Sequence, residues 1–342
     1  MTTHKLAIWA VTPNGAKLAR RISAGLSGAD LHFSASLENE GDSSATFETL
    51  SGALSQAFDK YNAHIFIMSA GIVVRLVAPH IRHKTSDPAV VVADEKGYHV
   101  ISLLSGHIGG ANALAKQIAE IIDATPVITT ATDLNKVPAI DLLAKEKGLF
   151  IENPDAIKYV SMAFLKGKKI CCHDPFQLMS NTILSAWFSV LNSQFSIFID
   201  DVVADLPPHT LILRPKSLVA GIGCNRNTDK KEIKELLYEV LEKNALARGS
   251  LKCIATVDLK ADEQGLLALG QDLNLPLEFF TREELEKVKD IKTPSAMVEK
   301  HIGVKSVCEA SAILATKKGK LIVPKHSTRN VTVAIARIPF TS

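Results

Sequence analysis

Ser-Leu-Leu-Ser-Gly-His-Ile-Gly-Gly-Ala-Asn, residues 102–112, is the stretch from which the fold is read. Tyr98–Leu104, which runs into it, is dense in apolar residues and predicts a strand. After it, Ala111, Leu114, Ala115, Ile118, Ala119 and Ile122 recur at helical spacing and predict one apolar face. A strand, a glycine-rich turn and a helix in that order mark an α/β unit. Such a turn presents backbone N–H groups and the positive end of a helix dipole, which together favour an anion. Gly106, Gly109 and Gly110 would let a ligand approach the backbone closely, and His107 adds a proton carrier near neutral pH. The same pattern also fits an ordinary βα turn whose glycines serve only the chain path.

Working outward, Lys5–Thr12 predicts a first strand, and Pro13-Asn14-Gly15 turns into a helix with Leu18, Ile22 and Leu26 on one side. Residues 34–50 are polar and read as loop. Ala63–Ser69 is a nearly continuous apolar run, as in a strand buried on both faces. Ala70-Gly71 ends it and opens a short helix carrying Arg75, either an anion-binding side chain or a plain exposed arginine. A loop over Ile81–Pro88 holds Arg82, His83, Lys84 and Asp87. Ala89–Ala93 and Tyr98–Leu104 form a hairpin through Asp94-Glu95-Lys96-Gly97, and Pro126–Thr130 is a further strand. The fold class is therefore α/β, with an open, mostly parallel sheet over residues 1–134. Ligands of such sheets sit beyond the carboxyl ends of the strands, so Ala70–Arg75, Ser105–Asn112 and Thr129–Asp133 are expected to converge.

A small middle α/β domain is expected over 135–216, with strands at Ile170–Cys172, Phe195–Ile199 and Thr210–Leu213. Cys171-Cys172-His173-Asp174 has metal-ligand residue types, but adjacent cysteines on a strand face opposite ways, so they read as inert thiols. A C-terminal α/β domain over 217–342 opens with a strand at Leu218–Cys224 and a helix running to about Asn244. Asp229 and Glu232 have capping-box spacing at the start of that helix. Gly221-Ile222-Gly223 is a fragment of a dinucleotide fingerprint, but Arg226 stands at its third glycine, which argues against NAD and for an anion site using Arg226. Cys224 at that turn is either an activated thiol or a buried structural one. Further strands are expected at Cys253–Lys260, Leu277–Thr281, Lys320–Pro324 and Asn330–Ile338, and a helix at Ser295–His301.

The 342 residues suffice for two or three cores. A net charge of +3 and 6% aromatics argue against nucleic acid as a partner. The five cysteines, with no C-x-x-C pair, fit a reducing compartment, and neither a secretory h-region nor a membrane-length apolar run is present, so a cytoplasmic, soluble protein is expected.

Ser-Ala-Gly-Ile-Val-Val-Arg (69–75), Lys-Thr-Ser-Asp-Pro-Ala-Val-Val-Val (84–92), Ile-Ser-Leu-Leu-Ser-Gly-His-Ile-Gly-Gly-Ala-Asn (101–112) and Val-Ile-Thr-Thr-Ala-Thr-Asp (127–133) resemble the N-terminal region of the CbiG family. Gly-Ile-Gly-Cys (221–224), Asp-Leu-Lys-Ala-Asp-Glu (258–263), Gly-Val-Lys-Ser-Val-Cys-Glu-Ala-Ser-Ala (303–312) and Val-Thr-Val-Ala-Ile-Ala (331–336) resemble its C-terminal region. That family comprises the cobalt-precorrin-5A hydrolases of anaerobic cobalamin (vitamin B12) biosynthesis. The resemblance implies that water opens a δ-lactone on a cobalt-bearing tetrapyrrole. The extruded carbon then leaves as acetaldehyde, giving cobalt-precorrin-5B. It implies no protein-held cofactor or metal, because cobalt arrives with the substrate. Transient hand-over from neighbouring pathway enzymes and a homodimer are compatible with it.

On this reading the carboxylates of cobalt-precorrin-5A meet Gly71, Arg75, Lys84, Ser105, Gly106, Gly109, Gly110, Asn112, Thr130 and Arg226. The turn amides are placed to stabilise a tetrahedral oxyanion. His107 is the expected base for both steps, with Asp87 or Asp133 orienting it. Two other classes stay open on the residues alone. One is a phosphate- or nucleotide-handling enzyme, against which the absence of G-x-x-x-x-G-K-[ST] counts. The other is a non-catalytic tetrapyrrole-binding protein with His107 as an axial cobalt ligand.

Overall fold

Runs apolar or nearly so on both faces, such as Ala63–Ile67, interrupted only by His64, and Ala89–Ala93, suit the middle of a parallel sheet covered by helices on each side, and every residue of both runs is buried. The computed structural model describes residues 5–37, 45–83, 86–179, 188–189, 196–294 and 306–339. Lys84 and the expected helix at Ser295–His301 lie outside them. The chain divides into two compact units, Met1–Leu142 and Leu143–Ser342.

The first unit contains β1 (Leu6–Ala10), α1 (Pro13–Gly25), β2 (Ala29–Ser34), β3 (Ala45–Phe47), α2 (Leu50–Ala57) and β4 (Ala63–Ile67). It continues with α3 (Ala70–Val77), β5 (Ala89–Ala93), β6 (His99–Leu104), α4 (Ala111–Ile122), β7 (Thr125–Val127), α5 (Ala131–Leu134) and the start of α6 (Ile140–Glu146). Its seven strands are ordered β3-β2-β1-β4-β5-β6-β7. Ile8, Ala10, Ile65, Ile67, Val91 and Ala93 face α1 and α4 on one side. Trp9, Phe66, Val90 and Val92 face α2 and α3 on the other, which is the strict alternation a strand imposes.

Only the β5–β6 pairing is antiparallel, with Ala93 opposite Val100; all the others are parallel. The expected hairpin is therefore present, and it has a consequence the sequence reading missed. Because β6 and β7 run opposite to β4, their carboxyl ends lie at the edge where β4 and β5 begin. The turn at Ala70–Arg75 thus sits at the opposite edge from Ser105–Asn112 and Thr129–Asp133, and the expected convergence of three turns reduces to two.

In the second unit, β8 (Phe150–Ile151), α7 (Ile157–Leu165), β9 (Ile170–His173), β10 (Phe188–Ser189), β11 (Ser196–Ile199) and β12 (Leu211–Arg214) give a five-stranded sheet ordered β10-β9-β11-β12-β8. A second sheet follows from β13 (Leu218–Cys224), α8 (Lys230–Lys243), β14 (Leu251–Val257), α9 (Gln264–Leu273), β15 (Leu277–Phe280), α10 (Arg282–Glu286), α11 (Val307–Ala315), β16 (Lys320–Ser327) and β17 (Val331–Arg337). Its order is β15-β14-β13-β17-β16, with β13, β14 and β15 parallel and the last two strands antiparallel. Asp229 caps α8 through Lys231 N, but Glu232 accepts from Asn330 instead of completing the box. Gly221 serves packing: a Cβ there would meet the Cys308 carbonyl of α11 at 1.8 Å.

Candidate active site

The turn between β6 and α4 is closed by its own backbone. Gly110 N donates to His107 O at 2.9 Å, Ala111 N to Ser105 O at 3.2 Å and Asn112 N to Gly106 O at 3.0 Å. The glycines follow from that closure. A Cβ on Gly109 would lie 2.4 Å from Ser105 Cβ, one on Gly106 would lie 2.7 Å from Asn112 Oδ1, and Gly110 has a φ of 90°. Gly106 and Gly109 therefore admit the chain to itself, whereas Gly110 answers to its positive φ and a Cβ there would meet nothing within 4 Å. The Gly110 amide is already committed to a carbonyl and is not the oxyanion donor the sequence suggested. Ser105 takes a φ of 57°, rare outside glycine, and its Oγ is buried without a hydrogen-bond partner among the described residues.

Tight closure throws the His107 ring toward α5 and α6. Its Nε2 lies 2.9 Å from Asp133 Oδ2 and 3.1 Å from the Thr132 hydroxyl, and its Nδ1 faces Asp141 Oδ2 at 3.6 Å. Asn112, on the first turn of α4 and buried, fixes Asp133 in turn. Its Nδ2 donates to Asp133 Oδ2 at 2.9 Å and to Thr130 Oγ1 at 3.2 Å, while its Oδ1 accepts from Ser102 Oγ at 2.6 Å. Lys116 stands 3.7 Å from the other Asp133 oxygen. A polar chain thus runs Ser102, Asn112, Asp133, His107, Asp141.

Two carboxylates on one imidazole favour the doubly protonated ring, in which both nitrogens donate. The Asp141 carboxylate is the largest cause of a raised His107 pKa; burial works against it, and Asp133 adds to the rise. Burial pushes the Asp141 carboxyl up, but the imidazole and the Leu142 amide outweigh it and leave its pKa lowered. About a fifth of the His107 side chain and a quarter of Asp133 are open to solvent, so the group is reachable.

Of the expected site residues, the structure brings together His107, Asp133, Asn112, Thr130 and the 105–110 turn. It does not bring Asp87 to the imidazole: that carboxylate is buried and accepts from Arg82 N at 3.0 and 3.2 Å, clipping its own loop. Gly71 and Arg75 lie at the far edge, where Arg75 Nη1 donates to the Gly71 carbonyl at 2.8 Å. Arg226 belongs to the second unit, its guanidinium on Asp262 and on Leu259 O. Cys224, weighed as an activated thiol, is pushed up to about 11 by burial, and Cys172 to about 12.

Asp141 and Thr132 were missed. Asp141 fell in the middle region on the sequence reading, and its one local signal is an acidic residue in the first turn of a helix after Pro138. Thr132 lies inside the quoted block 127–133 but was not singled out there.

Models for the Cobalamin synthesis G N-terminal region, the Cobalamin biosynthesis central region and the Cobalamin synthesis G C-terminus match residues 52–133, 138–215 and 218–336. A cobalt-precorrin-5A hydrolase from Salmonella typhimurium is 36% identical, the match covering 97% of each chain. One from Priestia megaterium is 32% identical over 98% of this chain and 95% of its own. The chain belongs to the CbiG family. The crystal structure of a cobalamin biosynthesis protein G homologue from Sulfolobus solfataricus is 23% identical over 98% of this chain and 97% of its own, with a TM-score of 0.40. The CbiG N-terminal match ends at Asp133, so it contains His107, Asn112 and Thr132, while Asp141 falls within the central-region match. Among the described residues, no helix is long and apolar enough to cross a membrane.

Proposed function

We infer that the chain is a cobalt-precorrin-5A hydrolase of cobalamin biosynthesis, with His107 as its acid–base group. The family assignment carries the reaction class, and the observation that carries the residue is an accessible imidazole held between Asp133 and Asp141. The cobalt enters as part of the substrate.

The raised His107 pKa changes the order of roles. A carboxylate beside each ring nitrogen favours the protonated form, which can serve as an acid before it serves as a base. Water adds to the lactone carbonyl, losing one proton to solvent and keeping the other on the new carboxyl group; the acyl C–O bond breaks, and the proton of the imidazolium goes to the departing alkoxide oxygen. His107 is then neutral and adjacent to a new hydroxyl on the extruded carbon. It takes that proton back as the C–C bond breaks, so the carbon leaves as acetaldehyde and the electron pair remains on the macrocycle. One imidazole serves both steps and ends as it began. Asp133 and Asp141 hold its orientation and stabilise its charged form, and Asn112 keeps Asp133 in place.

Anaerobic incubation with cobalt-precorrin-5A and an aldehyde trap tests this reading. His107→Asn is expected to lower acetaldehyde release by about a hundredfold or more, the scale of one lost proton-transfer group. Release at near wild-type rate would remove His107 from the chemistry.

A further inference from the structure

The second unit contains a cavity of about 440 Å³ beyond the carboxyl ends of β13 and β14. Among the described residues, Arg226, Lys260, Lys325 and Arg329 line it, and no aspartate or glutamate does. Two of these cations are partly neutralised: Arg226 by Asp262, and Lys260 by Glu263 at 3.7 Å. The other two have no carboxylate partner in an ion pair among the described residues. Lys325 Nζ donates to a backbone carbonyl, Thr293 O, at 3.1 Å, and exposed Arg329 has no carboxylate partner among the described residues. Thr256 also lines the cavity; it is fully buried, and its Oγ1 has no hydrogen-bond partner among the described residues. A buried hydroxyl is ordinarily satisfied, since leaving it unpaired costs free energy. An unsatisfied donor beside a cavity rich in positive charge is complementary to an anion.

We propose that this cavity binds a carboxylate of the polycarboxylate macrocycle, with the Thr256 hydroxyl as donor and Lys325 and Arg329 as the charge partners. The proposal rests on the hydrolase reading for the identity of the ligand, but its geometry is independent of His107. Sequence reasoning found the region through Arg226. The structure moves the weight to Thr256, Lys325 and Arg329, which no motif marked.

The test uses the full chain and a heptacarboxylic cobalt corrin, cobyrinic acid, followed by equilibrium dialysis. Thr256→Val removes the hydroxyl at nearly constant volume and is expected to weaken binding roughly tenfold to a hundredfold, the scale of a lost hydrogen bond to a charged group. Thr256→Ser keeps the hydroxyl and is expected to bind within about threefold of wild type. Arg329→Ala, at an exposed position, is expected to weaken binding and flatten its salt dependence. Unchanged affinity in Thr256→Val, or equal loss in the Val and Ser variants, would overturn the site. Inorganic phosphate displacing the corrin at equal concentration would overturn the carboxylate assignment. If acetaldehyde is never released but Thr256→Val still weakens binding, the hydrolase reading fails and the site stands.

Discussion

At the scale of single residues the decisive feature is an imidazole with an acid on each side. The Asp141 carboxylate raises the His107 pKa above its usual 6.5, so this pairing stabilises the fold fully below that value. Its contribution fades as pH rises through the pKa of the folded ring. The Asp141 pKa lies below its usual 3.8, so its contribution is present above that value and fades as pH falls through the folded pKa. The pairing is thus intact between the two folded pKa values. Asp141→Asn removes the larger cause of the His107 shift. Titration of the ring by NMR is expected to show a lower pKa in this variant than in wild type, and the acid-dependent limb of acetaldehyde release should move to lower pH with it. A ring pKa unchanged by Asp141→Asn would mean the 3.6 Å contact carries no proton coupling. A residue that merely supported the helix would change stability without moving the pH profile.

Elements decide where that imidazole can stand. The turn from Ser105 to Gly110 is overdetermined by three backbone hydrogen bonds, two glycines with no room for a Cβ and a third at positive φ. Gly109→Ala would drive a methyl against the Ser105 side chain and carbonyl, which are 2.4 and 2.7 Å from the ideal Cβ. The expected result is a loss of about 2 kcal/mol or more in chemical denaturation, with a larger proportional loss of activity, since the turn that aims His107 must open. A variant as stable as wild type would show that the turn relaxes freely. Much of this element was readable: the apolar strand, the glycine cluster and the helical spacing of Ala111, Ala115 and Ile118 agree with one another. Other elements were not. β2 carries Asp30 and His32 among its apolar residues, because His32 stacks on Trp9 and bonds Tyr61, a tertiary arrangement with no local signature. β3 is a three-residue edge strand with one buried side chain, Phe47, too short to show a period. The hairpin at Asp94–Gly97 was legible, yet its effect on the site needed the whole sheet order. Strand direction is set by pairing, and pairing partners are distant in sequence.

At the scale of the molecule, the second unit ties two sheets together through one buried charge. Asp201, following β11 of the first sheet, is fully buried. It accepts from Arg337 Nη2 at 2.7 Å and Nε at 2.9 Å, at the end of β17 of the second sheet, and from Ser217 Oγ at 2.6 Å just before β13. Its backbone carbonyl accepts from Ala247 N at 2.7 Å. A carboxylate taken wholly out of water is tolerable only while such partners remain, so cutting the pair on one side is far costlier than replacing both sides. Arg337→Ala is therefore expected to destabilise the second unit by about 3 kcal/mol, and the double variant Asp201→Asn with Arg337→Met to recover most of that loss. Denaturant melts followed by limited proteolysis separate two outcomes. If the pair couples the sheets, the single variant opens the segment around residues 200–217 to cleavage below the main transition, and the double variant closes it again. A single variant that loses less than about 1 kcal/mol would show that the backbone hydrogen bonds at 201–203 and apolar packing hold the sheets without the ion pair, with Asp201 re-solvated at little cost.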